Sequence, residues 1–263
     1  VVVVDCNSGE LLAAASYPTF DLNDYYEKYD ELSKDKRNPL WNRFALGTYA
    51  PGSTFKPVTA CASLEAGVID ADSVYYCEGV KDFYGQTFQC LHGTRHKYEN
   101  VRTALRDSCN MFFYNCALDT GIDKIDEYAE SFGLGQKTGV EITEARGNIS
   151  SPDNREKAGG VWRIGDTMLT AIGQSDNLFT PLQLANYCST LANGGTRYEL
   201  RFVKSIISES TGVVNDKNKS VAEELDLSDS TLDNVHKGMR LVATDGAPNT
   251  IFNQIDTPVA CKT

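Results

Sequence analysis

A serine and a lysine stand three positions apart where an apolar helix is predicted to begin, in the segment 49–56, YAPGSTFK. Positions i and i+3 share one face of a helix, so the Lys56 amine is expected to lie beside the Ser53 hydroxyl. A serine hydroxyl is a poor nucleophile that needs an adjacent base. A desolvated or cation-rich site lowers the pKa of a lysine enough for that role. The spacing therefore predicts nucleophilic catalysis by Ser53, with Lys56 as its base.

Two later motifs distinguish Ser53 from other serines of the chain. Residues 108–110 read Ser-Cys-Asn, and residues 262–263 read Lys-Thr. Ser-x-x-Lys, Ser-x-Asn and Lys-Thr-Gly, in this order, form the signature of penicillin-binding proteins and serine β-lactamases. Ser33 and Lys36 also have the Ser-x-x-Lys spacing, but their charged surroundings indicate a solvated surface.

Flanking residues extend the likeness along the chain: Asn42-Arg43, Gly173-Gln174, the segment 180–185 (TPLQLA) and the segment 192–195 (ANGG). On these motifs the chain resembles the transpeptidase domain of class B penicillin-binding proteins of the elongation or sporulation type. The resemblance implies an α/β fold shared with serine β-lactamases, in which helices flank a central antiparallel sheet beside a helical subdomain. It also implies that residues 1–263 form one transpeptidase domain ending just after the Lys-Thr of the third motif. A membrane anchor and a pedestal domain are then expected outside this chain.

Two segments contain literal copies of the later motifs. Residues 137–139 spell Lys-Thr-Gly, but they follow a glycine-punctuated helix exit and precede a short apolar run, which favours a structural loop. Residues 175–177 spell Ser-Asp-Asn, in a connection that is variable in the family. Lys262 and Thr263 instead follow the apolar run 258–260, which predicts a strand entering the active site and favours this copy as the third motif.

The resemblance implies how the first two motifs share the chemistry of acyl transfer, which requires a nucleophile, a base and a proton relay. Ser53 attacks the penultimate D-alanine carbonyl of a stem peptide, and Lys56 takes its proton. Ser108 relays a proton to the departing D-alanine, while Asn110 orients Lys56 and the substrate amide. Taken alone, Ser108 is interpreted more simply as a helix N-cap and Asn110 as a capping or turn residue.

The third motif is expected to bind substrate. By the same resemblance, Lys262 supplies positive charge near the substrate carboxylate, and the Thr263 hydroxyl donates a hydrogen bond to it. Outside the motif context, a lysine such as Lys262 would be interpreted as solvated. No cofactor is needed for this chemistry.

Periodicity and turn signals predict the elements that position these residues. Strands are expected at 1–5 and 11–17, and a buried helix from Ser53 to about Ala66. Two helical pieces, 101–106 and 108–119, meet at Ser108. The segment 74–100 lacks helical periodicity.

Three cysteines and a histidine form a second candidate site: Cys77, Cys90, His96 and Cys109, with the spacing C-x12-C-x5-H-x12-C. Three thiolates and one imidazole are a known set of ligands for structural zinc. A disulfide, Cys77–Cys90 or Cys90–Cys109, is the alternative in an oxidising compartment, and free thiols are a third interpretation. His92 is the alternative imidazole ligand.

Composition bounds the partners. The chain has 263 residues and a net charge of −11, which suits one large domain or two small ones and argues against nucleic acid and anionic lipid as partners. No apolar run approaches the roughly 18 residues of a membrane span. The chain opens inside one predicted strand and ends inside another, so we expect a segment of a longer protein.

The expected function is that of a serine D,D-transpeptidase which cross-links peptidoglycan and is acylated by β-lactams. The expected partners are stem peptides ending in D-Ala-D-Ala, β-lactams and a glycosyltransferase. The expected location is the extracytoplasmic face of a bacterial cell membrane. Two alternatives stay open: a β-lactam-sensing receptor domain, and a serine β-lactamase, although no motif for a deacylating water is recognisable.

Overall fold

The computed structural model describes all 263 residues, which form two compact units assembled from segments distant in the sequence. The first unit comprises Val1–Tyr49, Phe132–Asn148 and Leu178–Leu225, and the second comprises Ala50–Ser131, Ile149–Asn177 and Asp226–Thr263. Every residue of the three assigned motifs belongs to the second unit.

The chain contains α-helices and β-strands in a mixed order. The helices are α1 (Tyr29–Lys34), α2 (Lys56–Glu65), α3 (Val101–Arg106), α4 (Asn110–Thr120), α5 (Ile122–Ser131), α6 (Pro152–Lys157), α7 (Ile164–Thr170), α8 (Pro181–Ala192), α9 (Asp229–Asp245) and α10 (Asn249–Phe252). The strands are β1 (Val2–Val4), β2 (Leu11–Ala14), β3 (Tyr75–Cys77), β4 (Val80–Phe83), β5 (Gln86–Gln89), β6 (Lys97–Glu99), β7 (Thr196–Tyr198), β8 (Ser205–Ile207), β9 (Val214–Asp216) and β10 (Val221–Glu224).

The first unit packs helix α8 against a hairpin of β1 and β2 and against β7. Helix α8 begins where the sequence Thr-Pro-Leu-Gln forms a capping box: the Thr180 hydroxyl accepts the Gln183 N–H, and Gln183 Oε1 accepts the Thr180 N–H. The core around these elements consists of Phe44, Ala45, Val140, Leu182 and Leu200, with Val2, Val4, Leu11 and Ala14 packed on it.

The second unit is built around α2, the helix that starts at the candidate base. Its residues from Lys56 to Ser63 are all buried. Helices α4, α5 and α9 pack against it. The small side chains of Ala60, Cys61 and Ala62 allow neighbouring helices to enclose this part of α2. Gly67 ends the helical segment with φ +67°, as the sequence indicates.

Helices α3 and α9 pack closely in the same unit. Asn100 caps α3, because its side chain accepts the backbone N–H groups of Arg102 and Thr103. A Cβ on Gly238 of α9 would lie 2.7 Å from Leu105 Cδ1, so the helices approach as far as a glycine allows. This contact fixes the end of α3 that leads to Ser108.

The predicted irregular segment 74–100 contains two nested antiparallel pairs, in which β3 pairs with β6 and β4 pairs with β5. The strands are short, and glycines with positive φ stand at Gly79 and Gly85. The segment therefore folds as a hairpin within a hairpin, which explains why it has no helical periodicity.

Two expectations about the strands need correction. Instead of one central sheet, the strands form five two-stranded antiparallel sheets. The β1–β2 hairpin is joined to the segment after β7 by a single parallel bridge, Glu10 to Arg201. The run 258–260 is not a strand: the backbone at Cys261 bonds to the Met239 carbonyl of α9, and no partner strand lies beside it.

The helices of the chain are too short or too polar to cross a membrane.

Candidate active site

Ser53 lies in a 3-10 turn, Gly52–Phe55, that leads directly into α2. The turn is possible because Gly52 adopts φ +56°, a left-handed conformation that glycine tolerates. The Lys56 N–H donates to the Ser53 carbonyl, so the two residues occupy the same turn. The Ser53 side chain is half-buried and stands at the entrance of the helix. The sequence-based prediction of a helix starting at Ser53 is therefore correct except that its first turn is 3-10.

The Lys56 amine makes the central contacts of the site. Its Nζ lies 2.6 Å from the Ser108 carbonyl oxygen, 3.1 Å from Ser108 Oγ and 2.6 Å from Asn110 Oδ1. The Lys56 residue is 0% exposed, and the ring of Phe113 lies 5.6 Å from Nζ. The structure thus brings the first and second motifs together through the lysine.

Burial lowers the pKa of Lys56 to about 7, because a charged amine loses its hydration there. The positive charge of Lys262 contributes to this lowered value, and the sulfurs of Cys109 and Cys90 oppose it. Near neutral pH a sizeable fraction of Lys56 is therefore unprotonated, as a base must be.

The Ser-x-Asn motif turns sharply between α3 and α4. Ser108 has φ 53°, which costs a non-glycine residue about 1–3 kcal/mol and is often found at active sites. Cys109, not Ser108, is the N-cap of α4, so the simple capping interpretation of Ser108 fails. Asn110 is the first residue of α4, and its Nδ2 donates to the Gln89 carbonyl at 3.1 Å. The Asn110 amide is therefore held from two sides, by Lys56 and by β5.

The third motif approaches the same lysine. Lys262 is close enough for its charge to lower the pKa of Lys56, and burial lowers its own pKa to about 8. Lys262 is half-buried, so it is not a fully solvated lysine. The Lys262 amine donates to the Thr263 carbonyl at 2.5 Å, and the Thr263 side chain is exposed.

The alternative copies of the motifs have structural roles. The Thr138 N–H and hydroxyl both donate to Glu144, at 3.0 and 2.8 Å, within the first unit. Asn177 is fully buried and bonds to the backbone of Ser150 and Thr170. Ser33 is exposed on the surface of α1.

The predicted ligands Cys77, Cys90, His96 and Cys109 converge in the second unit, with all four candidate ligand atoms within 4.8 Å of one another. The Sγ atoms of Cys77 and Cys90 are 3.6 Å apart, and those of Cys90 and Cys109 are 3.8 Å apart. His96 Nδ1 lies 3.6 Å from Cys77 Sγ. The alternative ligand His92 is not part of the cluster.

These separations fit a tetrahedral metal site. Zn–S bonds of about 2.3 Å place two sulfur ligands of a tetrahedron about 3.8 Å apart, whereas a disulfide needs about 2.05 Å. A hydrogen bond from the Cys109 thiol lowers the pKa of Cys90 to about 5, whereas the same contact raises the pKa of Cys109 and burial raises the pKa of Cys77. The Cys90 sulfur also accepts the Met111 N–H at 3.4 Å.

Two contacts of the site were not predicted from the sequence. The Gln89 carbonyl on β5 positions Asn110. Because this acceptor is a backbone atom, no residue type in the sequence indicates it. Phe113 packs beside the Lys56 amine. Its place one helical turn after Asn110 was a usable signal, because residues at i and i+3 share a face.

The fold and the site together define the class of protein. Residues 1–263 match the family model described as the penicillin binding protein transpeptidase domain, and the chain belongs to that family, in its class B branch. The mixed α/β architecture with antiparallel strands is that of the family.

The relatives include proteins named for peptidoglycan transpeptidation and for sporulation. The chain is 34% identical over 205 residues to the peptidoglycan D,D-transpeptidase MrdA of Acinetobacter baumannii, covering 74% of this chain and 30% of the relative. It is 29% identical over 252 residues to the stage V sporulation protein D of Bacillus subtilis, covering 95% and 37%. The structure of Helicobacter pylori PBP2 in complex with MreC superposes with a TM-score of 0.87 at 29% identity, covering 99% of this chain and 48% of that one. The chain thus spans less than half the length of these relatives.

Proposed function

We propose that this chain carries the catalytic centre of a serine D,D-transpeptidase, which cross-links peptidoglycan stem peptides through an acyl-enzyme on Ser53. The observation that supports this most directly is the buried Lys56 amine, bonded to Ser108 and Asn110 one turn after Ser53. Membership of the transpeptidase family supplies the reaction class. The proposal applies to the whole protein, of which this chain is the transpeptidase part.

The contacts of Lys56 suit a base in its neutral form. A neutral amine has two N–H donors and one lone pair. Two acceptors, the Ser108 carbonyl and Asn110 Oδ1, lie at 2.6 Å and take both donors. The lone pair is then left to accept a proton from a hydroxyl. Ser53 transfers its proton to Lys56 as its oxygen attacks the penultimate D-alanine carbonyl.

Ser108 is placed to complete the proton path. Its hydroxyl lies 3.1 Å from the Lys56 amine, so it can take the proton from Lys56 and pass it to the leaving D-alanine nitrogen. Lys262 and Thr263 bind the substrate carboxylate. The amine of a second stem peptide then attacks the acyl-enzyme, which forms the cross-link and frees Ser53.

Acylation of the full-length protein by a penicillin tests the proposal. Intact-protein mass spectrometry should find one adduct per chain, and Ser53→Ala should abolish it. Ser33→Ala is the matched control, because Ser33 and Lys36 have the same spacing on an exposed surface, and it should leave the adduct unchanged. An adduct that survives Ser53→Ala would refute the assignment of the nucleophile.

The same proposal sets the partners and the location. The substrates are stem peptides ending in D-Ala-D-Ala, and β-lactams acylate the same serine. The H. pylori relative is known in complex with MreC. We propose that the full-length protein likewise works in an assembly, with a glycosyltransferase, from a membrane anchor on the extracytoplasmic face. Cross-linking of lipid II-derived strands separates this function from a β-lactam sensor or a β-lactamase.

We also propose that Cys77, Cys90, His96 and Cys109 hold a structural zinc ion. The separations between the candidate ligand atoms support a tetrahedral site. When bound, the ion would tie the nested hairpins of 74–100 to α4. Elemental analysis should find about one zinc per chain, absent after Cys109→Ser and retained after substitution of the exposed Cys188 by serine. A metal-free wild-type protein would refute the site.

A further inference from the structure

A loop of the second unit that no assigned motif includes lies directly against the nucleophile turn. It consists of residues 173–177, here called the Gly-Gln loop. The Gly52 N–H donates to the Gly173 carbonyl at 2.9 Å. A Cβ on Gly173 would lie 2.1 Å from the Gly52 carbonyl oxygen, so only glycine allows this approach. The loop is therefore a wall of the site that contains Ser53.

Buried hydrogen bonds hold the far end of the Gly-Gln loop. Asn177 is 0% exposed, and its Oδ1 accepts the Ser150 N–H at 3.0 Å while its Nδ2 donates to the Thr170 carbonyl at 3.2 Å. The Asp176 N–H donates to Ser150 Oγ at 3.1 Å. These bonds fix the loop to its neighbours without using any exposed group.

Arg155 of α6 holds the middle of the loop. Its guanidinium donates to Asp176 Oδ2 at 2.5 Å and to Ser175 Oγ at 3.0 Å, and it stacks 5.8 Å from the Trp162 ring. These contacts keep Ser175 at φ 61°, a strained conformation for a residue with a side chain. Strain maintained by surrounding bonds is characteristic of sites that must present a group in one position.

Gln174 is the residue that this loop presents. Its side chain is exposed and makes no hydrogen bond, although every other polar side chain of the loop is bonded. Its Nε2 lies 3.5 Å from the position of a Cβ on Gly52, next to the nucleophile. Its backbone N–H is tied to the Leu169 carbonyl at 3.0 Å. An unpaired carboxamide on a fixed backbone is thus available beside Ser53.

We propose that Gln174 is a substrate-binding residue that hydrogen-bonds to a peptide group of the stem peptide at Ser53. A carboxamide offers both a donor and an acceptor, which matches the C=O and N–H of a peptide group. This inference rests on the proposed transpeptidase function. A small β-lactam reaches Ser53 without the flanking peptide, so Gln174 matters for peptides and little for penicillin.

The test compares peptide and penicillin on the full-length protein. Gln174→Ala should lower kcat/KM for a stem pentapeptide up to about tenfold, mainly through KM, because tenfold is near the upper end of what one net hydrogen bond contributes. The second-order rate of penicillin acylation and the Tm should stay within twofold and 1–2 °C of wild type, on the order expected for a surface change. Gln254→Ala changes another exposed glutamine of the second unit. It should alter neither kcat/KM for the pentapeptide nor the rate of penicillin acylation.

A binding measurement makes the test independent of turnover. In the Ser53→Ala background, Gln174→Ala should weaken the Kd for the pentapeptide by the same factor. An unchanged Kd, or an equal loss of peptide and penicillin reactivity with a lower Tm, would overturn the proposal. A wild-type protein that is acylated by penicillin but turns over no peptide would instead refute the transpeptidase function, and the Kd comparison would still decide the role of Gln174.

Discussion

Lys56 combines two properties that oppose each other in most lysines: it is fully buried, and it has polar partners for its amine. Burial lowers its pKa to about 7, and the charge of Lys262 contributes in the same direction. The neutral form of Lys56 is the base, while the charged form of Lys262 binds the substrate carboxylate. The two lysines must therefore be in opposite protonation states for acylation.

This requirement predicts a bell-shaped pH dependence for acylation of Ser53. The rate should rise with pH as Lys56 loses its proton near pH 7, and fall as Lys262 loses its charge near pH 8. Stopped-flow acylation by a penicillin between pH 5 and pH 10 would measure both limbs. A rate that does not change across the range would contradict the assignment of Lys56 as base.

Two variants distinguish the ascending limb of the pH profile from the descending limb. Lys56→Ala should abolish acylation while leaving the protein folded, as measured by circular dichroism. Lys262→Ala removes a positive charge near Lys56, so the ascending limb should move to higher pH and the descending limb should disappear.

At the residue scale, the sequence was sufficient to predict which side chains meet. Ser108, Asn110 and Lys56 lie together, as the resemblance to the penicillin-binding protein family implied. The positive φ of Ser108 and the Gln89 carbonyl could not be predicted, because both depend on where distant backbone segments pass.

At the scale of elements, the approach of the Gly-Gln loop to the nucleophile turn depends on a single glycine. Gly173 has φ +71°, and a Cβ there would lie 2.1 Å from the Gly52 carbonyl oxygen and 2.8 Å from Phe55 Cβ. Gly67, at the end of α2, has nearly the same φ of +67° but no atom within 4 Å of its Cβ position. Comparing substitutions at Gly67 and Gly173 therefore separates the energetic cost of a positive φ from the cost of a steric clash.

We predict that Gly67→Ala costs about 1 kcal/mol in the free energy of unfolding, from the positive φ alone. Gly173→Ala should cost more, on the order of 3 kcal/mol, and should slow acylation at least tenfold because the Ser53 turn must shift. Urea unfolding and penicillin acylation of both variants would test this. Equal effects of the two changes would contradict the steric role of Gly173.

The helices were predicted better than the strands, for a physical reason. Helix α3 bonds within itself, so its signals are local, and the predicted span 101–106 is the observed one. A strand needs a partner that the sequence does not identify. The run 258–260 is apolar but has no partner strand, and the segment 74–100 has partners at nested positions that periodicity alone cannot reveal.

At the scale of the whole chain, the cysteine cluster joins the nested hairpins of 74–100 to the start of α4. Cys77 is the last residue of β3 and His96 directly precedes β6. Cys90 directly follows β5, and Cys109 is the N-cap of α4. Cys109 also stands between Ser108 and Asn110, the two residues that bind the Lys56 amine. A metal at this cluster would therefore stabilise the second unit and hold the active site at the same time.

Because metal-binding free energy becomes folding free energy, removing the proposed zinc should destabilise the protein. A net loss of about 3 kcal/mol would lower the Tm by roughly 6–12 °C for a domain of this size. The same treatment should slow acylation, since the backbone at Cys109 would lose its anchor. Differential scanning calorimetry and penicillin acylation, each before and after dialysis against a strong chelator, would measure both effects.

Cys109→Ser should show the lower Tm and slower acylation without chelator and no further response to it, whereas Cys188→Ser should respond like wild type. If the Tm and the acylation rate of the wild-type protein do not change after treatment with the chelator, a structural metal would be contradicted.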